Sequence, residues 1–171
     1  LNSYYHIENI GIPVFNKTRD IRHEFIDPAR NEQYYSACYE DAWLAAHGSL
    51  EGYAPAPYLK SAEEHYAYND RSVIKLLCGD EDAGLVDMDM ARGAERGVGW
   101  ISLLYLKKEY RGKGYGAQAL ARPLMMYREM GRKKLGLHTA PDNTAAIEFY
   151  LRHGFENKGS ENKLLLMEKK L

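Results

Sequence analysis

The sequence predicts an α+β fold: one central, mixed, mostly antiparallel sheet flanked by about four helices. Three observations predict it. Apolar residues recur at helical spacing in the first third of the chain and again near 114–130 and 142–153. Three strand-length runs follow one another in the middle, "SVIKLLC" (72–78), "AGLVDMDM" (83–90) and "GWISLLYL" (99–106), with the hairpin-type segments "GDED" and "ARGAERGV" between them. After residue 106 helix and strand patterns alternate, which closes one mixed sheet rather than a second layer of strands.

Each element has its own justification. Residues 1–19 are expected to form an N-terminal arm or extra strand, packed on its own domain or crossing to a second copy in a homodimer; residues 20–171 are expected to be a single domain. "DIRHEFID" from Asp20 alternates well enough for a short strand. Asp27 and Pro28 read as a helix start, an acceptor side chain followed by a residue that needs no donor. Behind them Tyr35, Cys38, Tyr39, Ala42, Trp43 and Ala46 share one face, and Gly48 supplies the stop. A second short helix begins at Pro57. Pro123 lies inside the helix near 114–130, where it removes one backbone hydrogen bond and is expected to kink it or loosen a turn. "KLGLHT" (134–139) is a strand, "DNTAAIEFYLRH" (142–153) a helix with Asp142 as its cap and Gly154 as its stop, and "KLLLMEKKL" (163–171) a closing strand.

Composition narrows the function. A formal net charge of −1 argues against a general nucleic-acid binder and against an anionic membrane surface. The longest strongly apolar stretch is "ISLLYL" (101–106), far short of the ~20 residues that span a bilayer. Cys38 and Cys78 sit in apolar segments without a metal-ligand spacing and read as buried free thiols in a reducing cytoplasm; no bound metal is expected.

The chemistry-bearing stretch is "EYRGKGYGAQAL" (109–120), with three glycines at alternate positions between an arginine and a run of helix formers. Alternate glycines cost conformational entropy, so something is expected to approach the backbone closely there. The loop follows a strand and opens a helix. Gly112, Gly114 and Gly116 allow several N–H groups to converge, the helix start adds partial positive charge, and Arg111 and Lys113 add full charges. That suits a pyrophosphate. The same residues also fit a tight strand-to-helix turn with solvated basic side chains. They lack the Gly-Lys-Ser/Thr run of a nucleotide P-loop. The antiparallel lead-in is wrong for a dinucleotide fold.

A second stretch, "DNTAAIEFYLRHGF" (142–155), alone is an ordinary amphipathic helix. Together the two stretches resemble the GNAT superfamily of acetyl-CoA-dependent N-acetyltransferases. Its loop pattern, Arg/Gln-x-x-Gly-x-Gly/Ala, is met by Arg111, Gly114 and Gly116. Its later helix pattern is met by Asn143, Ala146, Phe149, Tyr150, Gly154 and Phe155. Lys108 replaces a proline common in the family. The likeness is close over residues 72–171 and holds only in outline before them.

The resemblance implies a sheet splayed at a bulge, with coenzyme A in the gap. It implies that the Leu104 N–H polarises the thioester carbonyl and that Leu106 pairs with the pantetheine arm. Main-chain amides from Arg111 to Ala117, through Gly112, Lys113, Gly114, Tyr115 and Gly116, would hold the pyrophosphate. Asn143 would bond the pantetheine region beside Ala146, and Tyr150 would face the sulfur and protonate it. The implied reaction moves an acetyl group directly to a primary amine on a small molecule, amino acid derivative or peptide; use of another acyl-CoA, or a silent CoA-binding module, keeps the same residues. An alkyl amine near pKa 10.4 costs about 4.6 kcal/mol to deprotonate at pH 7, so a base helps. No residue stands out as that base, because Trp100 occupies the region where some members carry a glutamate. Asp87 and Asp89 share one strand face and either attract a cationic acceptor or are simply solvated. His138 either reaches the cleft or faces core or solvent. Trp43, His47 and Tyr53 are candidate walls of the acceptor pocket, unless Trp43 only packs in the core.

Overall fold

The computed structural model describes residues 20–171. The expected arm or strand at 1–19 lies outside the described residues. The elements run β1 (Ile21–Phe25), α1 (Glu32–His47), α2 (Pro55–Tyr68), β2 (Val73–Cys78), β3 (Glu81–Met88), β4 (Val98–Leu106), α3 (Tyr115–Glu129), β5 (Lys134–Thr139), α4 (Thr144–Arg152), β6 (Glu156–Glu161) and β7 (Leu164–Lys170), with single 3-10 turns at Ala94–Arg96 and Lys108–Tyr110. The seven strands form one open sheet in the order β1-β2-β3-β4-β5-β7-β6. Every neighbouring pair is antiparallel except β4 with β5. The α+β expectation of a mixed, mostly antiparallel sheet with four helices is met.

Period-two alternation sorts the strand residues onto two apolar layers. Val73, Leu85 and Tyr105 pack with Tyr35 and Cys38 of α1 and Ala62 of α2. Ile74, Val86 and Ile101 face the other way and pack with Ala119 and Leu120 of α3 and Tyr150 of α4. The two thiols fall on opposite faces, both buried and free. Among the described residues no helix is long and apolar enough to cross a membrane.

Three local readings change. Helix α1 starts at Glu32 with Asn31 as its half-in residue, not at Asp27. Asp27 instead closes a preceding turn: its Oδ1 accepts from the Ala29 N–H at 2.9 Å and its carbonyl from Asn31 Nδ2 at 2.9 Å. Helix α2 starts at Pro55 rather than Pro57, while α3 runs through Pro123. Strand β6, "ENKGSE", has no apolar residue and is exposed along its whole length, so no hydrophobic period announced it; it pairs with β7 at the sheet edge.

The sheet is forked. In the β3–β4 ladder Asp87 pairs with Leu103, but Met88 pairs with Ile101, so Ser102 is an extra residue that bulges β4. The β4–β5 pairing stops at the same level, at Ile101 with Leu137. Beyond that vertex, residues 102–106 have no strand beside them on the β5 side among the described residues.

Candidate functional site

The register decides which main-chain groups line the gap. The Lys107 N–H donates to the Ala83 carbonyl at 2.9 Å, and Leu106 stands opposite Gly84. In an antiparallel ladder this makes Tyr105 and Lys107 the residues that bond β3, while Leu104 and Leu106 turn their N–H and C=O groups into the gap. The Leu106 carbonyl there accepts from Arg111 Nε at 2.8 Å.

At the mouth of the gap Gly114 precedes α3 with φ of 84°, and Gly112 has φ of 69°; a side chain at either would meet open space, so it is backbone conformation that demands glycine. Gly112, Lys113 and Gly114 N–H groups have no main-chain partner among the described residues, and the first-turn amides of Gly116 and Ala117 have no intrahelical acceptor. Arg111 differs: its N–H donates to the Lys108 carbonyl at 3.2 Å, so its amide is taken. Both basic side chains fold back onto main chain, Arg111 as above and Lys113 onto the Glu109 carbonyl at 2.7 Å, which leaves their charges beside the helix start. Tyr115 sends its ring into the core, edge-on to Tyr110 and against the Cys78 thiol, so only its main chain faces the loop.

Gly116 answers part of the question the glycines raised. A Cβ there would lie 2.7 Å from Cε2 of Phe149, so what comes close at this position is α4 of the same chain. The contact ties the loop to the helix that carries Tyr150. The cap of α4 is Asn143, not Asp142: Asn143 Oδ1 accepts from the Ala146 N–H at 3.3 Å. That leaves the Asn143 Nδ2 to donate elsewhere. Tyr150 is 7% exposed, with Phe149 and Phe155 edge-on at 5.2 Å each. Its hydroxyl has no hydrogen-bond partner among the described residues, and burial drives its pKa far above the usual tyrosine range. Leu104, Leu106 and Ala146 pack against the same apolar cluster.

The opposite face of the vertex carries polar chemistry. Asp87 is not solvated. It is 1% exposed, its Oδ2 accepts from the Tyr35 hydroxyl at 2.8 Å, and its Oδ1 is 2.8 Å from His65 Nδ1. With α1 and α2 lying over β3 here, both oxygens are occupied and Asp87 cannot meet a substrate ammonium directly. His65 Nε2 lies 3.5 Å from Asp89 Oδ2, which completes a carboxylate–imidazole–carboxylate bridge. Burial alone would lower the His65 pKa, but the Asp87 hydrogen bond and charge, with Asp89 and Glu64 behind it, raise it. Asp89 Oδ1 also accepts from the Ala91 and Arg92 N–H groups at 3.2 and 2.9 Å.

His138 stands one residue past the last β4–β5 pair. Its Nε2 is 3.0 Å from Glu161 Oε2 on β6, and its ring meets Trp100 edge-on at 4.8 Å. Trp43, His47 and Tyr53 are brought together, with Trp43 4.2 Å from His47 and 5.8 Å from Tyr53. Trp43 is half-buried between the helices rather than in either core layer; its ring contact with Tyr58 continues through Tyr39 to Tyr35, which bonds Asp87, and none of the three touches Asp87 or His138 directly among the described residues. His65 and Glu161 were missed by sequence reasoning. One is a single histidine near the end of α2 without a pattern around it, and the other belongs to the unannounced strand.

Residues 21–155 match the model of the acetyltransferase (GNAT) family, most of the chain. The chain belongs to that family. It is 33% identical over 87 residues to N-alpha-acetyltransferase 30 of Schizosaccharomyces pombe, covering 51% of this chain and 52% of that protein. Over 66 residues it is 41% identical to the uncharacterized N-acetyltransferase YycN of Bacillus subtilis, 39% of each chain. The chain thus spans about half or less of the length of these curated relatives. Its fold is shared by the PaiA N-acetyltransferase of Thermoplasma acidophilum solved in complex with coenzyme A, with a TM-score of 0.65, 18% identity, and coverage of 89% of this chain and 99% of that one.

Proposed function

We propose that residues 20–171 form one acetyltransferase unit that moves an acetyl group from acetyl-CoA to a primary amine of a small molecule, amino acid derivative or peptide, in a ternary complex. The observation that carries this reading is the open fork: two β4 residues turn main-chain groups into a gap whose mouth is the glycine-cradled start of α3. The complex of PaiA with coenzyme A and the N-alpha activity named for the yeast relative support it. Two buried thiols fit a reducing compartment such as the cytoplasm.

The residues then divide the work. Gly112 to Ala117 hold the pyrophosphate with main-chain N–H groups; Arg111 contributes charge and braces Leu106 rather than offering its amide. Leu106 and the free Nδ2 of Asn143, beside Ala146, take the amide-rich arm. When bound, acetyl-CoA supplies the activated acyl carbon. The Leu104 N–H donates to the carbonyl oxygen as it gains charge under attack by the amine nitrogen. The C–S bond then breaks, and the Tyr150 phenol gives its proton to the departing sulfur. The proton lost by the amine goes to His138, whose Nε2 is oriented by Glu161 at the vertex.

The reading is tested by acetyl-CoA-dependent thiol release against a panel of amines, diamines, amino acids and short peptides. Loop variants isolate the cradle. Gly114→Asp is expected to weaken acetyl-CoA binding about tenfold or more by calorimetry, since it adds a carboxylate where phosphate charge is to sit. Gly114→Ala carries the same positive-φ strain, about 1–2 kcal/mol, without the charge. Equal affinities for Gly114→Asp and Gly114→Ala would remove the loop from the cofactor site.

A further inference from the structure

Arg92 is a held, charged group on the acceptor side of the vertex that the transfer chemistry leaves unused. Its main-chain N–H donates to Asp89 Oδ1 at 2.9 Å, and its guanidinium carbon lies 3.5 Å above the Trp100 ring. A guanidinium laid flat on an indole is fixed in plane and presents its N–H edge outward, the geometry that meets a carboxylate side-on. The other basic side chains nearby already have partners. His65 has Asp87 and Asp89, His138 has Glu161, and Arg132 donates to the Ala94 and Met90 carbonyls. Arg92 is exposed and has no carboxylate partner among the described residues.

The same Trp100 ring touches His138 on its other contact, at 4.8 Å. One indole therefore carries both a free guanidinium and the group placed to take the amine's proton. The side chain of an acceptor whose amine meets the imidazole lies within reach of that guanidinium.

We propose that Arg92 is a specificity-determining residue that binds a side-chain carboxylate of the acceptor, so that the preferred amine carries an acidic side chain. The two sources of that chemistry are a free acidic amino acid and a peptide with an acidic residue at its N-terminal end. The proposal rests on the acetyltransferase reading of the fork, and its test separates the two.

The matched pair N-acetylglutamate and N-acetylglutamine, product-like and without a reactive amine, is titrated by calorimetry into the protein in the presence of coenzyme A. Parallel thiol-release assays compare glutamate with glutamine, and a peptide beginning with glutamate with one beginning with glutamine. The glutamate member, with its side-chain carboxylate, is expected to bind at least about tenfold more tightly in the wild type. Arg92→Ala is expected to erase that preference through KM, leaving turnover of the glutamine member and acetyl-CoA affinity unchanged, and Arg92→Lys to restore it only in part. Which assay pair shows the preference tells the free amino acid from the peptide. No preference in binding, no binding of either probe, or a preference that survives Arg92→Ala overturns the proposal. Absence of thiol release with the binding preference intact counts against the transferase reading and in favour of the anion site.

Discussion

Tyr150→Phe is expected to lower kcat by about a hundredfold or more while leaving KM for acetyl-CoA and the thermal midpoint nearly unchanged. The variant keeps the ring that packs between Phe149 and Phe155, and the hydroxyl it removes has no hydrogen bond to lose among the described residues. Only proton delivery is deleted. Because burial raises the phenol's pKa, it stays protonated throughout the working range, so the wild type should show no loss of rate from Tyr150 ionisation at neutral or mildly alkaline pH. The deficit of the variant should shrink with a thioester whose thiol is more acidic than that of coenzyme A, since such a sulfur leaves without a proton. Steady-state kinetics with both donors across pH checks this. An unaltered kcat in the variant would remove Tyr150 from the acid role.

The stretches that were legible in sequence share a property: their signal is local. A glycine loop that starts a helix, a meander of β-rich runs and a capped amphipathic helix are each set by residues a few positions apart. The fork was implied only through the likeness to a family; Ser102 is an unremarkable residue, and its bulge shows only in the register of β4 against β3, at the level where the pairing with β5 ends. What stayed hidden depends on distant partners. Asp87 looked like a solvent-facing acid because nothing in "AGLVDMDM" tells which helix will cover it, and Tyr35 and His65 lie 52 and 22 positions away. Gly116 looked like part of the anion cradle, while the contact that requires it comes from Phe149. Strand β6 was unreadable because an edge strand exposed on both faces needs no apolar period.

Removing the Asp87 carboxylate with Asp87→Ala is expected to cost about 3–5 kcal/mol, since it strands a charged imidazole and a buried phenol that were bonded to it. His65→Gln, which keeps a donor but not the charge, should cost less and is the variant for following pH. The His65 pKa is raised in the folded state, so the imidazolium's contribution is fully present below about pH 6.5, the unfolded value, and is lost as pH climbs through the folded value. Thermal midpoints of the wild type should therefore decline across that interval, and those of His65→Gln should be flat there. The same change should reach the chemistry. Asp87 stands opposite Leu103, and the Asp89 N–H donates across the strands to the Trp100 carbonyl, so the bridge spans the stretch of β4 that contains the bulge and aims the Leu104 N–H. Loosening it should lower kcat with little effect on acetyl-CoA affinity, because the phosphate cradle lies at the far end of the gap. A wild-type midpoint that does not vary with pH, or that varies equally in His65→Gln, would mean that the imidazole carries no charge between its two carboxylates and that the vertex is held by packing alone.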